Sequence, residues 1–176
     1  MEIELVLTND SFKDTAISLI QGFWKAHNHL DSSMEDCQQD YQAWSQEGHQ
    51  FFLVKVEEAF VGFAHLASRG AEIDWLEDLF ILPKFQGQGI GSQVITLLEE
   101  KVKKYSESLY IEVSARNLAA MKLYHRLGYD CLNTLTIRKD FNSEKFESVS
   151  HECVNGMNFT IRRYKKNGRL DRWVSQ

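Results

Sequence analysis

Residues 79–92 read Leu-Phe-Ile-Leu-Pro-Lys-Phe-Gln-Gly-Gln-Gly-Ile-Gly-Ser. An apolar run of strand character passes through Pro83 into a turn in which every second residue is glycine, and the turn opens an amphipathic segment. Such a turn is built to hold phosphate. Gly87, Gly89 and Gly91 carry no Cβ, so the backbone can take positive φ and turn several N–H groups toward one ligand. The helix expected next adds its unpaired first-turn N–H groups and the positive end of its dipole. Spacing excludes two common phosphate motifs. A dinucleotide fingerprint would need glycine where Ser92 stands, and a P-loop would need Gly-Lys-Ser/Thr at its end.

The pattern present is Gln86-x-x-Gly89-x-Gly91 after a strand. It resembles the acyl-coenzyme A pyrophosphate signature of the GNAT N-acetyltransferase superfamily. A second signature stands downstream, Asn117-x-x-Ala120-x-x-x-Tyr124-x-x-x-Gly128-Tyr129, separated from the first by one helix and one strand as in that family.

The rest of the chain agrees in element order. Residues 2–7 alternate in polarity and predict a half-buried strand. Two helices follow, one carrying Phe12, Ala16, Leu19, Ile20 and Phe23, the other capped by Ser32 or Ser33 and running to about Gln46. Residues 50–56 and 60–68 predict a hairpin about a turn at 57–59. Residues 73–82 form the strand that feeds the glycine turn, and Ile90, Val94, Leu97, Leu98 and Val102 mark one face of the next helix. A strand over 109–114 and a helix capped by Asn117 and stopped by Gly128 come next. Strand character returns over 129–138 and 154–163. The order β-α-α-β-β-β-α-β-α-β-β implies an α/β domain with a mixed, mostly antiparallel sheet flanked by helices, similar to the GNAT fold, in a single N-acetyltransferase domain over residues 1–176.

Composition narrows the partners. At 176 residues and 43% hydrophobic, the chain can bury a core without staples. A net charge of −5 offers no general attraction to nucleic acid or anionic membranes, and suits a cationic partner better. The acids Asp31, Glu35, Asp36, Asp40, Glu47, Glu57 and Glu58 crowd residues 25–60, against Lys25 and Lys55. Cys37, Cys131 and Cys153 are widely spaced and read as reduced, mostly buried thiols. His27, His29, His49, His65 and His151 show no metal-ligand spacing, so surface or satisfied core positions are expected and no metal is assigned. No signal peptide or membrane-length apolar run is present, which points to the cytoplasm.

The family resemblance implies acetyl-coenzyme A as co-substrate. Backbone groups of Leu79, Phe80 and Ile81 would pair with the pantetheine arm, and one N–H there would polarise the thioester carbonyl. Residues 86–92 (Gln86, Gly87, Gln88, Gly89, Ile90, Gly91, Ser92) would hold the pyrophosphate, with Gln86 standing where the family more often has arginine. Asn117 would add a polar contact to its capping role. Tyr124 corresponds to the family's usual general acid. For the base the residues offer Glu77, acting through a water, or Asp78; strict alternation places the two on opposite faces unless a bulge near Leu79 re-aims them. The reaction implied is acetyl transfer to a primary amine. The acceptor is left open between a small cationic molecule and a protein or peptide amine, and a non-catalytic acyl-coenzyme A sensing domain is the alternative from another class. A homodimer through the last strands or the basic segment 162–172 fits the family.

Overall fold

A computed structural model describes residues 2–28 and 32–165; His29, Asp31 and most of the basic segment 162–172 lie outside the described residues. Two compact units divide the chain, one up to Glu112 and one from Val113.

The first unit is a five-stranded sheet in sequence order: β1 (Ile3–Leu7), β2 (His49–Val56), β3 (Ala59–Ala67), β4 (Trp75–Ile81) and β5 (Tyr110–Ile111). Hairpin neighbours pair antiparallel, whereas β5, reached through a crossover helix, pairs parallel to β4. Helix α1 (Lys13–Asn28) and helix α2 (Met34–Trp44) separate β1 from β2, and helix α3 (Ile90–Val102) separates β4 from β5. Local chemistry sets the starts: Asn9 accepts from the Ser11 N–H at 2.9 Å and caps the 3-10 turn Asp10–Phe12 that leads into α1, and Ser33 accepts from the Asp36 N–H at 3.1 Å, with Glu35 and Asp36 in the first turn of α2.

Strand alternation divides the core between the two faces of the sheet. Phe51, Leu53, Phe63 and Phe80 pack with Ala16, Ile17, Leu19, Ile20 and Phe23 of α1 and with Cys37 and Tyr41 of α2. Phe52, next to Phe51 and so on the opposite face, lies under Lys101 of α3, whose Nζ is 5.0 Å from the ring centroid. Ile90, Val94, Ile95, Leu98 and Val102 of α3 are buried. Each such aliphatic or aromatic side chain withdrawn from water contributes about 1.5–3 kcal/mol.

The second unit holds helix α4 (Leu118–Arg126) and an antiparallel hairpin of β6 (Phe146–Val154) and β7 (Met157–Tyr164). The eleven expected elements occur in the expected order, with one displaced. Residues 129–138 form no strand, and the tenth element is β6. Leu132, Leu135 and Ile137 are apolar, yet they are exposed and among the described residues no strand pairs with them; apolar composition without a partner edge does not make a strand. The hairpin that does form turns on Asn155-Gly156, both at positive φ, the pair a type I′ turn requires. The cysteine expectation is corrected in part: Cys37 is buried, while Cys131, on the coil, and Cys153, on the two-stranded hairpin, are exposed.

Candidate active site

The glycine turn joins β4 to α3 without a break. Gly87 and Gly89 have φ of 74° and 80°, and Gly89 is the N-cap of α3. A Cβ built on Gly87, Gly89 or Gly91 would meet nothing within 4 Å, so the turn is an open backbone cradle rather than a packed corner. The helical ladder begins with the Gln93 N–H to the Gly89 carbonyl at 3.1 Å, which leaves the N–H groups of Ile90, Gly91 and Ser92 without helical partners. The Gln86 amide turns back along the chain and donates to the Ile81 carbonyl at 2.7 Å, tying the turn to the end of β4; Gln88 likewise donates to the Lys84 carbonyl at 3.2 Å.

One edge of β4 is open along its second half. Among the described residues β5 pairs with Trp75 and Leu76 of β4, whereas β3 continues along β4 to Ile81. The Leu82 N–H bonds to the Val61 carbonyl, so by alternation Phe80 also turns its backbone toward β3, and Leu79 and Ile81 turn theirs to the open side.

Between the paired and open halves sits a bulge. Opposite His65 stands Asp78 and opposite Leu66 stands Leu76, so Glu77 is an extra residue in β4. It falls two residues before the Leu79 position expected for it, and Glu77 and Asp78 together oppose His65. Their partners differ. Arg69 grips Glu77 side-on, Nε to Oε1 at 2.7 Å and Nη2 to Oε2 at 2.8 Å, and its Nη1 reaches Glu112 Oε2 at 2.7 Å. The guanidinium also lies 3.9 Å over the Trp75 ring, which stacks on Tyr110 at 4.9 Å. Hydrogen bonding to Glu77 first, then to Glu112, raises the guanidinium above its ordinary value, against the opposing effect of burial.

Asp78 turns into a histidine chain that the spacing of histidines in sequence does not reveal. Its Oδ2 is 3.1 Å from His65 Nδ1, and His65 Nε2 is 2.9 Å from His49 Nδ1. His65 is buried, stacked between Trp44 of α2 at 4.9 Å and His49 at 5.1 Å. Burial, then His65, holds His49 below its ordinary value, and Glu77 acts in the opposite direction. Hairpin register explains the meeting: His49 opposes Ala67 and His65 opposes Phe51, so the two imidazoles are diagonal neighbours on one face. The hairpin expected about a turn at 57–59 carries that register only in outline, and the bulge at Glu77 has no local signature.

In the second unit, Asn117 caps α4 by accepting from the Ala120 N–H at 3.2 Å, and Gly128 takes φ 97° just past the helix end. Tyr124 is half-buried, with Tyr129 edge-on at 6.1 Å. Burial pushes its phenol above the ordinary value, keeping it a proton donor. His125 follows Tyr124 in the last turn of α4, about 100° round the helix. Of the expected site residues, Glu77, Leu79, Phe80, Ile81 and residues 86–92 lie on one continuous strand-turn-helix unit, and Asn117 and Tyr124 share α4.

Residues 16–129 match the model of the acetyltransferase (GNAT) family. An uncharacterized N-acetyltransferase, YjgM, of Escherichia coli (strain K12) is 29% identical over 94 residues, covering 51% of this chain and 56% of that protein. A spermine/spermidine N(1)-acetyltransferase of Bacillus subtilis (strain 168) is 32% identical over 73 residues, covering 40% of this chain and 45% of that protein. The chain thus spans about half the length of the curated relatives it matches. In fold it is similar to AAC(6')-Iy, solved in complex with the bisubstrate analog CoA-S-monomethyl-acetylneamine, with TM-score 0.64 and 17% identity over 80% of this chain and 99% of that one. With more than half of its residues matched by the family model and two motifs in their expected elements, the chain belongs to the GNAT acetyltransferase family.

Proposed function

We propose that this protein transfers an acetyl group from acetyl-coenzyme A to a primary amine carried by a small cationic molecule. The observation that carries the reading is the open edge of β4 running directly into a glycine cradle, with two carboxylates at the bulge where that edge opens. An extended pantetheine arm fits such an edge as an added strand would, beside the outward backbone of Leu79 and Ile81. The pyrophosphate fits the N–H groups at the start of α3, with no cationic side chain from Gln86; amides and the helix dipole supply the attraction. The Leu79 N–H is the donor assigned to the carbonyl oxygen as it becomes an oxyanion.

Chemistry then follows in three movements. The amine arrives protonated and must lose a proton before its lone pair can attack. Glu77 is the base assigned to this step, through a water, with Arg69 fixing the orientation of both carboxylate oxygens. Attack forms the C–N bond and a tetrahedral oxyanion, whose collapse breaks the C–S bond. Tyr124 gives its phenolic proton to the leaving thiolate, and the proton still carried by the cationic nitrogen of the new C–N bond passes back to the phenolate, leaving neutral amide, thiol and phenol. Asn117 is assigned a polar contact to the co-substrate beside its cap. The acidic surplus of residues 25–60 and the carboxylates Glu77 and Glu112 favour a cation, and the relative named for spermine and spermidine acts on that class.

Thiol release measured across polyamines, aminoglycosides, amino acids and short peptides tests the reading. Turnover with polyamines or aminoglycosides supports it, turnover with peptides alone moves the acceptor to protein amines, and acetyl-coenzyme A binding without any turnover makes the chain a sensing domain.

A further inference from the structure

The proton taken from the amine needs a destination, and Arg69 already engages both oxygens of the Glu77 carboxylate. A second set of titratable groups lies beside it: Asp78, which follows Glu77 in the same bulge, with His65 and His49 in line. We propose that His49, His65 and Asp78 form a proton relay that takes the amine's proton onward from Glu77 and its water, with His49 Nε2 as the entrance. The relay rests on the acetyl-transfer reading above and deepens it.

Donor and acceptor counting gives the chain its polarity. An ionised Asp78 can only accept, so His65 donates from Nδ1 and keeps a lone pair on Nε2. That lone pair, 2.9 Å from His49 Nδ1, needs a proton between them, which His49 Nδ1 supplies. Neutral His49 is thereby held as the Nδ1–H tautomer with Nε2 unprotonated, and Nε2 has no partner among the described residues. An imidazole poised this way is a base.

The step balances. The amine's N–H bond breaks and, after passage through the water, an N–H bond forms at His49 Nε2. The His49 Nδ1 proton then moves to His65 Nε2, leaving His65 as the imidazolium against the Asp78 carboxylate. Charge is thus carried from the partly exposed ring to the buried one, where its counter-ion stands. The titratable groups that face the two rings are Asp78 and Glu77, both from β4, with Glu77 already bound to Arg69. From α2 it is the uncharged Trp44 that packs on His65, and from β2 it is Phe51. His49 is disfavoured as a resting cation, as a transit site requires, while the Glu77 charge eases its transient protonation.

Two measurements test the relay. Imidazole nitrogen NMR at neutral pH reads the tautomers without any turnover: both rings are expected as the Nδ1–H form, and His49 found as the Nε2–H form overturns the proposal. The second is kcat/KM against pH with spermine as acceptor, or with whichever amine of the panel is turned over. His49→Gln keeps an N–H for His65 but cannot take a proton. It is expected to lose about tenfold at neutral pH, together with the acidic limb of the profile. Asp78→Asn is expected to move that limb to lower pH, since the imidazolium loses its counter-ion. A His49→Gln enzyme within twofold of the parent, with the limb in place, overturns the relay. Glu77→Gln separates the two claims: no effect there, with His49→Gln still impaired, removes Glu77 from the reading and leaves the relay standing.

Discussion

Asp78 lies directly opposite His65, Oδ2 to Nδ1 at 3.1 Å, at the position of β4 next to the extra residue Glu77. Alternation from Phe80 already sets Asp78 on the His65 face, and the extra residue brings Glu77 to the same side of the strand. The two acids take different partners there, one the histidine chain and one Arg69. The chain in turn affects stability. His49 is held below its ordinary value of 6.5 in the folded state, so on acidification the unfolded chain takes up the proton first. Stability from this group is complete above pH 6.5 and is lost as pH falls through the lowered folded value. Urea unfolding of His49→Gln between about pH 5 and 7 is expected to show a shallower fall than the parent.

Arg69 holds two carboxylates, and the side chain of Glu77 is only 10% exposed. Arg69→Met leaves that carboxylate half-desolvated without its guanidinium, a loss of about 1–3 kcal/mol. Chemical denaturation measures it, and Arg69→Lys is expected to recover only part, because an ammonium cannot match the side-on geometry.

Gly62 is required by close approach rather than by conformation. A Cβ there would stand 2.0 Å from the Phe80 carbonyl oxygen and 3.0 Å from Ile81 Cα, both backbone atoms of β4 that cannot swing aside. Gly62→Ala is expected to cost at least about 1–3 kcal/mol and to disturb the strand carrying Leu79. A loss of both stability and acetyl-coenzyme A affinity, seen by thermal shift and calorimetry, is the expected result.

Tyr124→Phe keeps the ring and removes the proton. A fall in kcat of about 100-fold is expected, with co-substrate affinity retained. Because burial raises the phenol above 10.0, kcat in the parent should show no loss from ionisation of this group below about pH 10. Full turnover by the variant would remove Tyr124 as the acid.

Much of the fold was legible because its signals are local. Alternation marked β1, runs of strand character about a short turn marked β2 to β4, the 3.6-residue stripe marked α3, and the caps at Ser32 or Ser33 and at Asn117 marked two helix starts. What escaped depends on pairing between segments. Residues 129–138 have strand composition and, among the described residues, no partner strand, whereas β6 and β7 pair about an Asn155-Gly156 turn, itself a local signal. In the site, the cradle and the candidate acids could be read from residue types. The Arg69 clamp, the Asp78–His65–His49 chain and the exact seat of the bulge follow from registers between three strands, which no single stretch of sequence encodes.

The central claim is that residues 79–92 hold acetyl-coenzyme A, the strand half its thioester arm and the glycine half its pyrophosphate. Gly89 is the sharpest point at which to test it, since it caps α3 at φ 80° with open space around it. Gly89→Asp would place a carboxylate where a pyrophosphate is expected, with no neighbour to displace. Isothermal titration of acetyl-coenzyme A into the parent and into a folded Gly89→Asp variant should show binding by the parent and affinity at least about tenfold weaker in the variant, equivalent to about 1.4 kcal/mol. Equal affinity in the two would contradict the account.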